Sequence, residues 1–301
     1  MMSKLKGYIQ LTRPANLPTA VADIVAGVAV SLTLMHGVED AAAMASAHVG
    51  SILLLCLASV LLYASGVVLN DYFDRNVDAI ERPERPIPSG VIPSRSALAF
   101  GLVLMCLGVL SAVMVSVLSG VLALFLALTI LLYDAAGKRH VLFGPLTMGA
   151  CRGLNLLLGM SLFGEVALWW MAVIPILYIG AVTLVSRGEV NGQNRSHITL
   201  AFFMYLGVIA SLWGLMFYAG ISFIYLIPFL IVFAAMVLIP LWRAYKNNSP
   251  ANIRKAVKAG VISLILLDAC IAVIFAGWTA GLSIVLLLPA SLFLAKQFAV
   301  T

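Results

Sequence analysis

Long apolar runs separated by short polar stretches extend along the whole chain. The runs are continuously apolar, which is typical of helices that cross a lipid bilayer, whereas strands of a membrane barrel would alternate in polarity. Each run is close to the length of about 20 residues that a helix needs to cross the bilayer. We identify ten such runs, at residues 17–35, 48–70, 95–117, 119–134, 141–162, 166–186, 199–218, 221–242, 256–277 and 280–297. The pattern therefore predicts an all-α, polytopic membrane helical bundle that forms one domain over residues 1–301.

The composition supports a membrane protein and excludes a soluble domain. Of the 301 residues, 63% are hydrophobic and 10% are charged, and the mean hydropathy is +1.10. The first run is long for the apolar part of a secretory signal peptide and contains Asp23, so we expect the protein to retain it as a helix. The four cysteines lie singly, without a Cys-x-x-Cys motif, and are predicted to be free thiols.

The charged residues predict an orientation in the membrane. With the N terminus assigned to the cytoplasm, Lys and Arg collect in the inside loops and at the helix ends beside them, whereas the opposite side holds Glu39, Asp40 and Glu165. This positive-inside pattern explains the net charge of +6 without nucleic-acid binding. We therefore predict an integral, multi-pass protein, located in the plasma (inner) membrane if its source is bacterial. Its polar groups should line a cavity that opens to the cytoplasm.

Three carboxylates follow directly on the second apolar run. On a helix, Asp71, Asp74 and Asp78 are spaced i, i+3 and i+7 and share one face. Three like charges at the trailing end of a helix repel one another and oppose the helix dipole, so the arrangement is costly without a bound cation. Mg²⁺ prefers such oxygen ligands and shares them with substrate phosphates. A solvated helix end outside the membrane is the alternative interpretation.

The surrounding sequence resembles a known family. Residues 70–78 (NDYFDRNVD) and 82–90 (RPERPIPSG) are similar to the first signature of the UbiA superfamily of intramembrane prenyltransferases. The resemblance implies that Asp71, Asp74 and Asp78 hold Mg²⁺, which in turn holds the diphosphate of a prenyl donor. It also implies nine helices, so the expected number is nine to ten, and the last run is the doubtful one.

The resemblance implies further diphosphate ligands near the first and fourth runs. Asn16 follows an Arg-Pro pair and is expected near the metal-bound diphosphate, although it could simply cap the first helix. Asn70 opens the signature and is grouped with the substrate-binding residues. Lys138 follows a tyrosine at the end of the fourth run and is expected to clamp the diphosphate, whereas an i,i+4 ion pair with Asp134 is the alternative.

An arginine lies within the fifth apolar run. A charge at this depth is expensive and must face a cavity or a partner. Arg152 and Asn155 are spaced i,i+3 and should point the same way. Arg152 could bind a diphosphate or an acidic acceptor, and a buried pair with Asp23 or Asp134 is the structural alternative.

The loop after the sixth run departs from the family pattern, which has a second aspartate cluster there. Ser186, Glu189 and Gln193 repeat the spacing of the first motif, but only Glu189 keeps a carboxylate. Flanking Arg187 and Arg195 suit an anion better than a second Mg²⁺. This altered loop is most similar to the EboC-like subgroup. The predicted diphosphate-binding residues are then Asn16, Asn70, Lys138, Arg152, Asn155, Arg187, Glu189 and Arg195.

The function implied by the resemblance is prenyl transfer. The enzyme would move a prenyl group from a polyprenyl diphosphate to a small acceptor, expected to be aromatic or a quinone precursor. Asp71, Asp74 and Lys138 are the predicted catalytic residues, and Mg²⁺ is the cofactor. The alternative is a non-catalytic or transport role, in which the protein binds or translocates an isoprenoid-linked or secondary metabolite. Release of diphosphate from a prenyl donor distinguishes the two functions.

Overall fold

The computed structural model describes residues 3–297 and is built from α-helices, with no strand in that range. Four short 3-10 turns, at Pro14–Asn16, Gly137–Arg139, Ser161–Phe163 and Trp169–Ala172, lie between or beside the helices. The helices are α1 Lys4–Leu11, α2 Leu17–Ala47, α3 Val49–Phe73, α4 Arg75–Glu81, α5 Ser94–Val113, α6 Val117–Ala135, α7 Phe143–Met160, α8 Val173–Ser186, α9 Arg195–Ala219, α10 Phe223–Lys246, α11 Pro250–Val285 and α12 Leu287–Gln297.

The structure confirms the predicted polytopic helical bundle. Within the described residues, nine helical stretches are long and apolar enough to cross a membrane. Many large apolar side chains on their outer faces are exposed, which suits contact with lipid tails. Residues 1–2 and 298–301, the ends of the predicted domain, lie outside the described range.

The last two predicted runs form one stretch of 48 residues that doubles back on itself. Gly277 has φ 79°, a left-handed conformation that favours glycine and breaks α11. Past this break, a Cβ added to Gly281 would lie 2.2 Å from the side chain of Val273 and 3.2 Å from the Ala269 carbonyl oxygen. A straight helix would hold residues 269 and 281 about 18 Å apart along its axis. The final run therefore turns back along α11 and packs into the bundle.

Helix α7 is packed tightly against α2 because both helices have glycines at the contact. A Cβ added to Gly27 would lie 2.4 Å from the Leu156 carbonyl oxygen, and one added to Gly159 would lie 2.4 Å from the Ile24 carbonyl oxygen. Small residues let membrane helices approach to backbone contact. This contact puts the polar side chains of α7 inside the bundle.

The loops predicted to be cytoplasmic meet at one end of the bundle. Their side chains are joined in four contacts: Arg13 with Asp71, Lys138 with Asp74, Arg187 with the His140 carbonyl, and Asn194 with Asn248. The candidate site is therefore assembled from segments far apart in sequence. Which side of the membrane this end faces, and the cavity opening to it, stay predictions.

Candidate functional site

The first motif lies on a helical path that is nearly continuous. Helix α3 ends at Phe73, and Asp74 links it to α4 with φ −88° and ψ 0°. The Asp74 N–H donates to the Asn70 carbonyl at 2.9 Å, and the Asp78 N–H donates to the Asp74 carbonyl at 2.8 Å. The spacing predicted from the sequence therefore places Asp71 and Asp78 on one side.

Two arginines bind the buried carboxylates Asp71 and Asp78. Arg13 Nη2 lies 2.5 Å from Asp71 Oδ1. Arg85 Nη1 bridges the pair, at 3.2 Å from Asp71 Oδ1 and 2.7 Å from Asp78 Oδ2. These contacts offset the repulsion between the carboxylates, and burial makes them stronger than surface ion pairs. Arg85 belongs to the RPERP sequence of the motif, which explains why that sequence follows the aspartates.

Lys138 pairs with Asp74 and not with Asp134. Its Nζ lies 2.6 Å from Asp74 Oδ1, although the ammonium is not aligned for a regular hydrogen bond there. Asp134 instead accepts a hydrogen bond of 2.9 Å from Asn70 Nδ2. The i,i+4 ion pair considered for Lys138 is therefore wrong. Lys138 lies beside the motif, where the family resemblance expects a cation for the diphosphate.

Arg13 is a site residue that the sequence reasoning missed. Its backbone is left-handed, with φ 46° and ψ 64°. Gln193 is the other non-glycine residue with positive φ in the described part of the chain. This conformation costs on the order of 1–3 kcal/mol in a non-glycine residue. The available signal was the Arg-Pro pair, which was read only as part of the family pattern.

The Asn16 side chain makes no capping hydrogen bond to α2. Its backbone carbonyl instead accepts a 2.7 Å hydrogen bond from the Thr19 hydroxyl. The cap considered for Asn16 is therefore absent. The half-buried amide lies close in sequence to Arg13, and its role toward a diphosphate stays a prediction.

Arg152 and Asn155 form the buried structural network considered as an alternative. Arg152 Nη1 donates to Asp23 Oδ2 at 2.9 Å, and its Nη2 donates to the Thr19 hydroxyl at 2.7 Å. Asn155 Nδ2 donates to the same Asp23 oxygen at 2.8 Å. The guanidinium also lies over the Tyr63 ring, at 5.3 Å from its centre. The structure thus does not bring Arg152 and Asn155 to the aspartates of the first motif, because Asp23 already satisfies both.

The second loop does not repeat the helical geometry of the first motif. Helix α8 ends at Ser186, and residues 187–191 form turns. Gln193 has φ 54°, outside helical geometry. The equal spacing of Ser186, Glu189 and Gln193 therefore does not place them on one helical face. The repeated spacing is not accompanied by a repeated helical geometry, because α8 ends at Ser186.

The two arginines of this loop lie in different places. Arg187 Nη2 donates to the His140 carbonyl at 2.6 Å, and it lies next to the turn that carries Lys138, across Gly144. Arg195 lies over the Tyr245 ring of α10, at 5.9 Å from its centre. Arg187 is thus at the edge of the site. Arg195 is not brought to the first motif, because it starts α9 and stacks on α10.

Asn194 fixes the second loop and was also missed. Its buried Nδ2 donates to the carbonyls of Val185 at 2.8 Å and Leu184 at 3.2 Å, near the end of α8. Its backbone N–H donates to Asn248 Oδ1 at 2.7 Å. The sequence signal was weak, since asparagine before a helix predicts a cap of α9 and not a bond to α8.

Glu189 makes no ion pair within 4.0 Å among the described residues. Burial raises the pKa of its carboxyl above the usual value, and the positive charges of Arg82 and Arg254 partly oppose this shift. Burial therefore disfavours the ionised form of Glu189 relative to a solvent-exposed glutamate. Its predicted role as a diphosphate-site residue gains no contact from the structure.

The first motif has the chemistry to hold Mg²⁺ together with a diphosphate. Each of its three carboxylates uses one oxygen in the ion pairs, and the second oxygen has no hydrogen-bond partner among the described side chains and is not sealed from solvent. Over the same range, no three acidic, histidine or cysteine side chains converge as a complete metal cage. This fits Mg²⁺, which takes one or two carboxylates and completes its shell with water and phosphate oxygens.

Comparisons with known proteins show the family and the fold of this chain. The model of the UbiA prenyltransferase family matches residues 30–261. A digeranylgeranylglyceryl phosphate synthase of Methanoregula boonei is 36% identical over 183 residues, which is 60% of this chain and 59% of that protein. The chain thus spans about three fifths of the length of this relative.

Solved structures share the fold. A structure of a digeranylgeranylglyceryl phosphate synthase aligns with a TM-score of 0.66 and 22% identity, covering 92% of this chain and 99% of that one. A UbiA homologue from Archaeoglobus fulgidus, bound to GPP and Mg²⁺, aligns with a TM-score of 0.65 and 14% identity, covering 88% and 99%. At these identities the likeness concerns the fold.

Proposed function

The chain belongs to the UbiA prenyltransferase family, and on that premise we propose that it transfers a prenyl group from a prenyl diphosphate to a glyceryl phosphate acceptor within the membrane. One observation carries the proposal. Three carboxylates at and just after the end of α3 are paired with Arg13, Arg85 and Lys138, and each carboxylate keeps one oxygen without a hydrogen-bond partner among the described side chains. A metal-bound diphosphate requires acidic ligands for the metal and cations for the phosphate oxygens, and both are present here.

The donor site would use the first motif for the metal and the cations around it for the diphosphate. Asp71 and Asp74, with Asp78 beside them, would hold Mg²⁺, which neutralises diphosphate charge when bound. Arg13 and Lys138 can turn from the carboxylates to the diphosphate oxygens. They would then stabilise the charge that builds on the diphosphate as the allylic carbon–oxygen bond breaks.

The acceptor class is inferred from the relatives. Their product is named as a glyceryl phosphate that carries two geranylgeranyl groups. We infer an acceptor of the same class, a prenylated glyceryl phosphate, in place of the aromatic or quinone-precursor acceptor expected from the motif. The EboC-like subgroup, suggested by the altered second loop, stays a prediction.

Product formation from defined substrates tests this function. The purified protein in lipid nanodiscs would receive Mg²⁺, radiolabelled geranylgeranyl diphosphate, and either geranylgeranylglyceryl phosphate or a hydroxybenzoate. We expect diphosphate release and a labelled product with the glyceryl phosphate only. A labelled product with the aromatic acid alone would refute the acceptor. Tight donor binding without diphosphate release would instead favour the transport role.

The orientation is part of the proposal, with the N terminus and the candidate site on the cytoplasmic side. Ile80 on α4 is 85% exposed, and exposed Glu39 lies in the predicted outside region. In intact cells, a membrane-impermeant maleimide should label Glu39→Cys, and should label Ile80→Cys only after the membrane is permeabilised. The unmodified protein gives the background from native cysteines, and the reverse pattern would invert the orientation.

A further inference from the structure

We propose that helix α12 contributes to the diphosphate site, because its residue Ser291 is a positioning residue for Arg13. The proposal rests on the proposed function, because it concerns the binding of the donor diphosphate. The contact joins the segment around Arg13 to α12. Both lie outside residues 30–261, which match the family model.

The backbone of Arg13 takes the left-handed conformation that commonly ends a helix, directly after Thr12, the C-cap of α1. Its N–H donates to the Gln10 carbonyl at 3.1 Å, and its carbonyl accepts from the Asn16 N–H at 3.1 Å. Glycine usually occupies this position after a helix, so φ 46° is energetically costly in an arginine. A left-handed arginine persists only where surrounding structure fixes it. The 3-10 turn Pro14–Asn16, which directly follows, is the segment through which it can be fixed.

Ser291 bonds this turn from the other end of the chain. Its hydroxyl donates to the Ala15 carbonyl at 2.7 Å, and both residues are 2% exposed. In a continued 3-10 turn, the Ala15 carbonyl would accept a hydrogen bond from the N–H of residue 18. Residue 18 is proline and has no N–H, so this bond cannot form. Ser291 therefore supplies a donor to a buried carbonyl two residues beyond Arg13.

The direction of the Ser291 hydroxyl is itself informative. In an apolar helix a serine hydroxyl usually bonds a carbonyl of its own helix. Ser283, earlier in the same returning segment, does this with the Ala280 carbonyl at 2.7 Å. Ser291 bonds across to the 3-10 turn instead. The reversal at Gly277 thus places one buried polar group of α12 where it stabilises the turn that carries Arg13 to Asp71.

The consequence is a chain of contacts from α12 to the diphosphate. Ser291 fixes the Ala15 carbonyl, the turn fixes the backbone of Arg13, and the guanidinium lies at Asp71 Oδ1, where the donor would bind. Loss of the Ser291 hydroxyl should let Arg13 relax toward ordinary backbone geometry. The guanidinium would then leave its position beside the metal ligands.

The test compares two serine variants of the full-length protein in nanodiscs. Ser291→Ala should bind geranylgeranyl diphosphate with Mg²⁺ about tenfold more weakly, the size expected for one buried hydrogen bond. Ser283→Ala, which removes an exposed hydroxyl bonded to its own helix, should bind as the unmodified protein does. Ser291→Thr keeps the hydroxyl and should restore binding. If Ser291→Ala does not fold, Ser291→Cys keeps the volume with a weaker donor and should bind with intermediate affinity.

A double-mutant cycle separates positioning from general stability. In an Arg13→Ala background, Ser291→Ala should weaken binding by less than about twofold, because its effect passes through Arg13. Fully additive effects, or unchanged binding by Ser291→Ala alone, would overturn the proposal while leaving the proposed function intact. Failure of the unmodified protein to bind geranylgeranyl diphosphate would instead refute the proposed function, and this inference with it.

Discussion

The first motif and the second loop each follow a membrane helix, carry polar residues at the same spacing, and differ in what those residues contact. Asp71, Asp74 and Asp78 pair with cations, of which Arg13 and Lys138 come from distant segments and Arg85 from the same stretch. In the second loop, Ser186 bonds the Thr183 carbonyl of its own helix, and Asn194 bonds the last carbonyls of α8. One region uses its polar groups for charged partners, and the other uses them to close a turn.

The cause of this difference lies in the backbone. After Asp74 the helical path continues into α4, so the carboxylates stay on one side. After Ser186 the chain turns, and a Cβ added to Gly188 would lie 2.5 Å from the Asn194 Cβ. This close approach requires glycine and packs Asn194 into the turn. Equal spacing in sequence therefore gives a ligand cluster only where the helix continues.

Removing a carboxylate from the first motif should have the largest effect. Asp71→Asn should weaken Mg²⁺-dependent binding of geranylgeranyl diphosphate by about 100-fold or more. Mutating a residue that only hydrogen-bonds to a metal ligand already lowers metal affinity or activity about 10–100-fold, and Asp71 is expected to be a ligand itself. Isothermal titration with and without Mg²⁺ measures this. Glu84→Gln, an exposed acid of the same region, is the matched control and should bind normally.

The metal-free stability of the same variant distinguishes two accounts of the motif. If the three carboxylates only repelled one another, Asp71→Asn would raise the thermal unfolding temperature. The ion pairs with Arg13 and Arg85 predict a decrease, since a partly buried guanidinium loses its partner. Unchanged diphosphate affinity combined with higher stability would show that the motif is a solvated helix end.

The two arginines that flank the second loop should differ in their effect on diphosphate affinity, because they lie in different places. Arg187→Ala should weaken diphosphate binding by about 1.5–3 kcal/mol, the range for hydrogen bonds to charged groups, because Arg187 lies beside the turn that carries Lys138 and is expected to donate to the bound diphosphate. Arg195→Ala should change binding less than about twofold, because Arg195 stacks on Tyr245. Equal losses in both variants would mean that the loop acts only through its net charge.

The sequence predicted the bundle and the first motif because both depend on local patterns. Apolar runs determine the helices, and the RPERP sequence after the aspartates supplies Arg85 within the same stretch. The contributions of Arg13 and Ser291 could not be predicted in this way, because they depend on a left-handed residue and on a helix that doubles back. From the sequence, Arg152 could bind either a ligand or a buried carboxylate. The packing of α2 on α7 brings Asp23 to Arg152 and so decides between the two.

A smaller effect is expected for the one carboxylate of the second loop. Burial raises the pKa of Glu189, so the folded protein holds this proton more tightly than the unfolded chain does, and ionised Glu189 destabilises the fold. Stability should therefore increase as the pH falls through the raised pKa. Glu189→Gln should slightly raise the unfolding temperature at neutral pH and remove that part of the pH dependence, with diphosphate affinity unchanged. A loss of affinity instead would place Glu189 in the site.

The smallest effect is expected for restoring the carboxylates of the second loop, although the sequence spacing alone would predict tighter Mg²⁺ binding. Ser186→Asp with Gln193→Asp restores three carboxylates at the family spacing, and on a helix they would bind a second Mg²⁺ more tightly. In the structure these positions lie at a helix end, in a turn and at a residue with φ 54°, and Asn194 holds that loop to α8 and to Asn248. We therefore expect the number of Mg²⁺ ions bound with geranylgeranyl diphosphate to stay the same, as measured by metal analysis of the dialysed complex. One additional Mg²⁺ per protein would mean that the loop refolds around the metal. The spacing of the carboxylates, and not the turn geometry, would then determine metal binding.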